Sequence, residues 1–256
     1  MIKTGLKQLP LIRELTLTLL KLKDQSTLFG FIWTFLNPLA IVSILFIFFR
    51  LRIGPQVENY GIYLLIGIIQ YTHFSNSTGG SMHVLVSMRQ LTGNTIFPKE
   101  ILVMSSVLSS VLELVLSMAI CLLIAQFTGL KFTWALLLLP LVLLQQVLMV
   151  FWVSLCLACL YIFVRDIDHI YHVFLRVLLF TTPIFYDLSF LGDGLARKIA
   201  LLNPLTHLIL YSRQLIISGK IFPLKGFALF TLANIALIIL CLKIFRKAEP
   251  SFAEHI

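Results

Sequence analysis

The sequence predicts an all-α integral membrane protein. Of its 256 residues, 59% are hydrophobic and only 12% are charged, and the mean hydropathy is +0.99. A typical soluble domain is about a quarter charged and about half apolar. This composition excludes a soluble enzyme, a disordered protein and a disulfide-stabilised scaffold. The apolar residues also gather in six long runs, which is the second observation behind the prediction.

The six runs are predicted membrane spans, because a helix needs about 20 mostly apolar residues to cross about 30 Å of hydrocarbon. The second run carries a polar patch from Ser75 to Gly80. The third contains Glu113, and the fifth contains Arg176 and is broken at Pro183. The predicted spans are residues 28–49, 60–86, 101–126, 133–163, 170–186 and 227–245.

Two further segments are predicted to be neither spans nor ordinary loops. Residues 6–27 place leucines on one helical face and charged residues seven apart on another, which is typical of a helix lying along the membrane surface. Residues 187–226 are too polar to span, and Asn203-Pro204 divides them into two short helical pieces. This pattern favours a re-entrant hairpin between the last two spans over an ordinary outer loop.

The basic residues indicate the orientation of the chain. With the N-terminus inside, eleven of the 20 Lys and Arg residues fall in cytoplasmic segments and eight in outer ones. Short cytoplasmic loops carry the excess of Lys and Arg in membrane proteins. We therefore expect both termini in the cytoplasm. Nucleic acid is not an expected partner, since no basic patch is interleaved with exposed aromatic residues.

No motif for catalysis is present in the sequence. It contains no P-loop, no H-E-x-x-H and no G-x-S-x-G. The four cysteines lie in apolar runs and are expected to be small packing residues. His169 and His172 beside Asp166 and Asp168 are expected to form a solvated helix start, with a metal site as the less favoured interpretation. We expect a chain that is not an enzyme and binds no cofactor or metal.

Two ionisable residues lie inside predicted spans. Glu113 and Arg176 have opposite charge, and each is costly in lipid unless it faces the protein interior or a partner. We predict that they pair. A packing ion pair and a role in transport are both compatible with this pattern.

Short motifs run through the whole chain in a fixed order. They stand around the first span, before the third, after the fourth, within the fifth and before the last: Gly30-Phe31-Ile32-Trp33 with Asn37-Pro38-Leu39, Phe97-Pro98-Lys99-Glu100, Val164-Arg165-Asp166-Ile167, Thr182-Pro183-Ile184-Phe185-Tyr186, and Asn203-Pro204-Leu205 with Arg213 and Gly219. The set resembles the membrane-spanning permeases of ABC-2 type polysaccharide exporters, which move O-antigen, capsule or teichoic acid precursors. The sequence departs from the family at Lys23-Asp24-Gln25, where Arg-Tyr-(Lys/Arg) is usual.

The resemblance implies a homodimer of six-span subunits in the bacterial plasma (inner) membrane. Two ATP-binding cassette subunits, which carry ATP and Mg, would dock on its cytoplasmic face, and a lipid-linked polysaccharide would pass between the protomers. Residues 87–99 would form a cytoplasmic gate and contact the ATPase. The residue roles implied are channel lining for Trp33, Tyr71 and Phe74; lipid head-group contact for Lys21 and Lys23; ATPase coupling for Arg89, Pro98, Lys99, Arg165 and Asp166; and gate-helix positions for Tyr186, Asn203, Pro204 and Arg213.

Three other functions remain open on the sequence. An ABC-2 exporter of small or lipid-like molecules often has a large outer domain, which is lacking here. A membrane-embedded transferase acting on a glycan lipid predicts clustered Asp, His and Arg at one membrane face, and only the Arg165–His172 turn approaches this. A secondary transporter predicts paired broken spans in an inverted repeat, and only the fifth span is broken.

Overall fold

The computed structural model describes residues 2–24, 32–49, 59–89 and 98–252, and within these ranges the regular elements are all helical. In chain order the helices α1 to α9 are Ile2–Asp24, Ile32–Phe49, Tyr60–Ser87, Glu100–Phe127, Leu139–Phe163, Ile167–Thr181, Leu195–Leu202, Pro204–Arg213 and Leu224–Ala248. Short 3₁₀ turns precede α5, follow α6 and end the described chain, and a π-helical turn extends α8.

Three helical segments in the described part of the chain are long and apolar enough to cross a membrane. They are Glu100–Phe127, Trp134–Phe163 and Leu224–Ser251. The prediction of an all-α membrane protein is confirmed at this level. α3 has 28 residues, a length of about 42 Å, but it carries the polar patch that begins at Ser75. The total of six spans stays a prediction.

The helix that follows the Arg165 turn differs from the predicted fifth span. α6 begins at Ile167 and ends at Thr181, whereas the sequence predicted a span over residues 170–186. The end has a local cause. Pro183 lacks an N–H and disfavours the helical conformation of the residue before it, and Thr182 is extended, with ψ at 133°.

α3 occupies the centre of the bundle. It packs against α2, α4 and α5, while α1 lies along α4 and α9 lies along α5. A second, smaller apolar cluster lies at one end of the bundle, where α3, α5 and α9 end and α4 begins. Leu15 and Leu19 of α1 pack against this end cluster, whereas Leu11 and Leu22 are exposed. The amphipathic first helix therefore buries part of its apolar face in protein.

The C-terminal part of α9 is fastened to the start of α4. Arg246 contacts Oε1 of Glu100 through Nε at 2.9 Å and Nη2 at 2.8 Å. The carboxylate of Glu249 accepts a hydrogen bond from the backbone N–H of Lys99 at 3.0 Å. This contact gives the N–H group a partner and places a negative charge at the N-terminus of α4, where the helix dipole favours it. Phe252 is fully buried in the end cluster. We refer to these five residues as the C-terminal clasp.

We expect Arg246→Ala to loosen the clasp. The Glu100 side chain is only 12% exposed, so its carboxylate would lose a charged partner in a poorly solvated place, at a cost of about 1–3 kcal/mol. The midpoint of thermal unfolding in detergent micelles should fall by several degrees. Lys247→Ala, at an exposed neighbouring position, is the matched control and should leave it unchanged. Equal midpoints for both variants would contradict a stabilising clasp.

Candidate functional site

A polar cavity of about 650 Å³ lies between α3 and α4, with Leu19 of α1 and His172 of α6 also contributing to its wall. Hydroxyl, amide and imidazole side chains dominate its lining. They are Thr72, His73, Ser75, Asn76, Ser77, His83 and Ser87 of α3, and Ser106, Ser109, Ser110 and Ser117 of α4, together with the carboxylate of Glu113. Polar side chains inside a membrane bundle mark the path or binding site of a polar solute.

The cavity faces of α3 and α4 share one sequence spacing. Residues at i, i+4, i+7 and i+11 lie along a single face of an α-helix. The two sets are Asn76, Gly80, His83 and Ser87 on α3, and Ser106, Ser110, Glu113 and Ser117 on α4. The polar patch of the second span and the acid of the third span therefore belong to one site.

Gly79 and Gly80 lie in the cavity wall. Apart from the backbone of its own helix, a Cβ atom added at either position would meet no atom of the described residues within 4 Å. Glycine in a helix interior costs about 1 kcal/mol relative to alanine. The two glycines instead keep the cavity wide.

His73 anchors a buried hydrogen-bond network behind the cavity. The Nε2 group of Gln146 donates to the carbonyl of Gln70 at 2.9 Å and lies 3.1 Å from Nδ1 of His73. With this amide orientation, assigned from the network, Nδ1 accepts and Nε2 carries the proton. Nε2 then donates to Ser110 Oγ at 3.2 Å, and Ser77 Oγ lies 2.6 Å from the same oxygen. His73 therefore links α3, α4 and α5 in one hydrogen-bond network.

A second group of polar contacts ties α6 to α3. Oδ1 of Asp168 lies 3.1 Å from Nε2 of His83 and 3.4 Å from Nε2 of His172. The hydroxyls of Thr78 and Tyr171 are 2.5 Å apart. Asp168 thus faces two histidines and is not a wholly solvated helix start. Among the described residues, no group of three or more His, Cys, Asp and Glu is arranged to hold a metal.

Residues 182–186 follow α6 and are not helical. The backbone carbonyls from Pro183 to Tyr186 nevertheless all accept hydrogen bonds from side chains. An unsatisfied carbonyl costs several kcal/mol at membrane depth. The pairs are Arg213 Nη1 with Pro183 at 2.6 Å, Arg213 Nη2 with Ile184 at 2.9 Å, the Tyr60 hydroxyl with Phe185 at 2.9 Å, and the Tyr63 hydroxyl with Tyr186 at 2.8 Å. We call residues 182–186 with these donors the carbonyl cradle.

Arg213 is the centre of the cradle. It is only 4% exposed, donates also to the carbonyl of Tyr63 through Nε and Nη2, and lies over the Tyr63 ring with Cζ 3.3 Å from its centroid. Asn203 donates to Thr182 Oγ1 at 2.7 Å and accepts from the backbone N–H of Leu205, capping α8. The structure brings the four gate-helix candidates, Tyr186, Asn203, Pro204 and Arg213, to the cradle and its adjoining helix.

Gly67 makes room for the guanidinium group. A Cβ atom at this position would lie 2.9 Å from Nη2 of Arg213 and 3.1 Å from Cγ2 of Ile184. We expect Gly67→Ala to cost about 1–3 kcal/mol of stability through overpacking. Gly79→Ala is the matched control on the same helix and should stabilise by about 1 kcal/mol. Thermal unfolding in detergent measures both, and a stabilised Gly67→Ala variant would contradict the close fit.

Two of the three aromatic residues predicted to line a channel lie away from the polar cavity. Phe74 is buried in the main core, and Tyr71 is half-buried and donates its hydroxyl to the carbonyl of Leu175 at 2.7 Å. Neither residue lines the polar cavity. Trp33 lies on α2, and its side chain is outside the described residues. Small polar side chains form the described wall instead.

The ATPase-coupling candidates gather around the end cluster. Arg89 is exposed just beyond α3, Pro98 and Lys99 precede α4, and exposed Arg165 and Asp166 precede α6. These helix ends meet at the same end of the bundle. Residues 90–97, the middle of the predicted coupling segment, lie outside the described residues.

The charged residues predicted on α1 and in the intramembrane ion pair lie in different environments. Lys21 is exposed near the end of α1, whereas the side chain of Lys23 is outside the described residues. Glu113 lines the cavity and Arg176 is on the exposed side of α6. No salt bridge joins Glu113 and Arg176 among the described residues.

Long apolar helices around a cavity of hydroxyl and amide groups define a multi-pass membrane protein suited to moving a polar solute. The chain belongs to the ABC-2 type transporter family, whose profile matches residues 18–217. It is similar to the O-antigen export system permease protein RfbA of Myxococcus xanthus, with 27% identity over 93% of this chain and 92% of the relative. It is also 26% identical to RfbA of Klebsiella pneumoniae, over 92% of this chain and 90% of that relative. The resemblance to polysaccharide export permeases is thus confirmed.

Proposed function

We propose that the chain is the permease subunit of an ATP-driven exporter that moves a lipid-linked polysaccharide of the O-antigen type from the cytoplasm across the bacterial plasma membrane. The observation that supports this proposal is the hydroxyl-lined cavity in a member of the ABC-2 family. Serine, threonine and asparagine side chains exchange hydrogen bonds with sugar hydroxyls as water does. Many weak contacts of this kind let a polymer slide without a deep binding minimum.

The proposed channel is completed by a second copy of the chain. In a twofold dimer the same residues face each other across the axis, so each lining group is present twice. Gly79 and Gly80 support this arrangement, because none of the described residues fills the space in front of them. The polymer would pass where the two cavities meet.

The energy for transport would come from a separate ATP-binding cassette subunit, which carries ATP and Mg. Its docking surface would be the end of the bundle that holds Arg89, Lys99, Arg165 and Asp166, together with α1. This end would face the cytoplasm, with both chain termini on that side and six spans in the membrane. When the residues before α4 move, the C-terminal clasp would transmit that movement to α9.

Purification of the tagged protein from its native host in mild detergent tests the proposal. An ATPase with a Walker motif should copurify at about equal stoichiometry. Deletion of the gene should leave the polysaccharide inside the cell. A permease that purifies alone, with surface polysaccharide intact in the deletion strain, would contradict the proposal.

A further inference from the structure

An apolar groove lies at the end of the bundle opposite the end cluster. α4 begins at the end cluster and α5 ends there, so the connection between them lies at the far end. The groove has a volume of about 490 Å³ and is apolar at every lining position except Thr133. Its lining residues are Leu122, Phe132, Thr133, Trp134, Leu136, Leu137, Leu139 and Pro140.

The position of the groove in the membrane follows from its exposed side chains. Trp134 is 88% exposed and Leu137 is 71% exposed. Both lie at the start of Trp134–Phe163, a segment long and apolar enough to cross a membrane. Tryptophan is enriched where the head groups of a bilayer meet its acyl chains. A groove at this position therefore meets the acyl chains of the leaflet at this end.

Two turns meet beside the groove, and each carries an exposed lysine. The hydroxyl of Thr133 donates to the carbonyl of Gly219 at 3.0 Å. Gly219 has a φ of 62°, and a Cβ atom there would lie 2.7 Å from Cγ2 of Thr133, so glycine permits this close contact. Lys131 precedes Thr133 by two residues and Lys220 follows Gly219 directly. The contact thus brings two cationic positions from distant parts of the chain to one edge of the groove.

We propose that the groove and these two lysines bind an anionic phospholipid. One acyl chain would lie in the groove, and the phosphate would lie beside Lys131 and Lys220. Apolar residues inside the span, an exposed tryptophan at its start and lysines in the adjoining turns follow the order of acyl chain and head group along the membrane normal. The proposal concerns the lipid around the protein and goes beyond the solute proposed for the polar cavity.

The lysines make the site selective among phospholipids. A zwitterionic lipid has the same acyl chains and would fit the groove equally well. A lysine near the membrane surface strengthens the binding of an anionic lipid by about fivefold, so two lysines give a preference of about 25-fold. A lipid bound to both turns would also hold the Trp134–Leu138 turn against the Gln214–Ser218 turn, with which it already packs.

Quenching of tryptophan fluorescence by brominated lipids tests the site, with Trp134 as the probe. The protein is reconstituted in phosphatidylcholine vesicles in which a varied fraction of either phosphatidylglycerol or phosphatidylcholine carries brominated acyl chains. Quenching that is lost in the Trp134→Phe variant reports lipid at the groove. Brominated phosphatidylglycerol should give half-maximal quenching at a mole fraction about 25-fold lower than brominated phosphatidylcholine. Equal quenching by both lipids would overturn the proposal. Quenching by neither would also overturn it and would indicate another occupant, such as a second copy of the chain.

Substitutions separate the lysines from the groove. Lys131→Ala and Lys220→Ala should each lower the preference for phosphatidylglycerol about fivefold. Lys198→Ala, which removes the same charge from an exposed position on α7, should leave it unchanged. An unchanged preference in both lysine variants, or the same loss in Lys198→Ala, would overturn the proposal.

A polar side chain in the groove tests the acyl-chain contact. Leu137→Asn should weaken quenching by both lipids and keep the preference between them. Leu229→Asn is the matched control, since Leu229 is 69% exposed on α9 and lies outside the groove. Equal quenching curves for Leu137→Asn and the wild type would overturn the proposed seat of the acyl chain.

Discussion

Arg213→Met is expected to destabilise the protein strongly. It removes the side-chain donors of the Pro183 and Ile184 carbonyls, which lie in the buried carbonyl cradle. Each buried carbonyl left without a partner costs about 1–3 kcal/mol, so the loss is about 2–6 kcal/mol. The thermal midpoint in detergent and the amount of protein in the membrane should both fall.

Two further variants separate the geometry of Arg213 from its charge. Arg213→Lys keeps the charge but replaces a planar fork that spans three carbonyls with one compact ammonium group. Its stability should lie between those of the methionine variant and the wild type. Arg197→Met, at an exposed pair with Asp193, should change little. If all three variants unfold at the wild-type midpoint, the cradle is not what holds this region together.

Much of the helical layout could be predicted from local sequence. Runs of apolar residues predict helices because the backbone must satisfy its own hydrogen bonds in lipid. The observed bounds of α3, α4 and α9, for example, lie within three residues of the predicted runs 60–86, 101–126 and 227–245. Pro183 likewise predicted the break after α6, and Asn203-Pro204 predicted the division between α7 and α8.

The carbonyl cradle could not be predicted in the same way. Arg213 binds carbonyls of residues 29 to 150 positions away, and a backbone carbonyl has no residue identity to recognise. The face of α3 that lines the polar cavity, in contrast, follows from the spacing of its polar residues. Phe74 and Asn76 are two positions apart, which is a rotation of about 200° around a helix. Their side chains therefore point to nearly opposite sides of α3. Asn76 lies in the cavity wall and Phe74 is buried in the core. The channel-lining role of Phe74 stays a prediction.

Gly80→Trp is expected to abolish polysaccharide export while leaving the subunit folded. An indole group at this position would enter the cavity, and its Cβ atom would meet none of the described residues outside its own helix. In the dimer two such rings would stand in the proposed channel. Surface polysaccharide should fall by about tenfold or more, which corresponds to a barrier increase above about 1.4 kcal/mol. Leu123→Trp, on an exposed face of α4 outside the cavity, is the matched control and should export normally.

A series of substitutions at Gly80 distinguishes obstruction of the cavity from misfolding of the subunit. Gly80→Ala should raise the thermal midpoint, because alanine favours a helix interior by about 1 kcal/mol over glycine, and Gly80→Leu should retain most of that gain. Export should nevertheless decrease from glycine to alanine, leucine and tryptophan as the side chain fills the cavity. Stability and transport would then move in opposite directions, which a purely structural glycine cannot produce. Normal export by the folded tryptophan variant would place the polymer path outside this cavity.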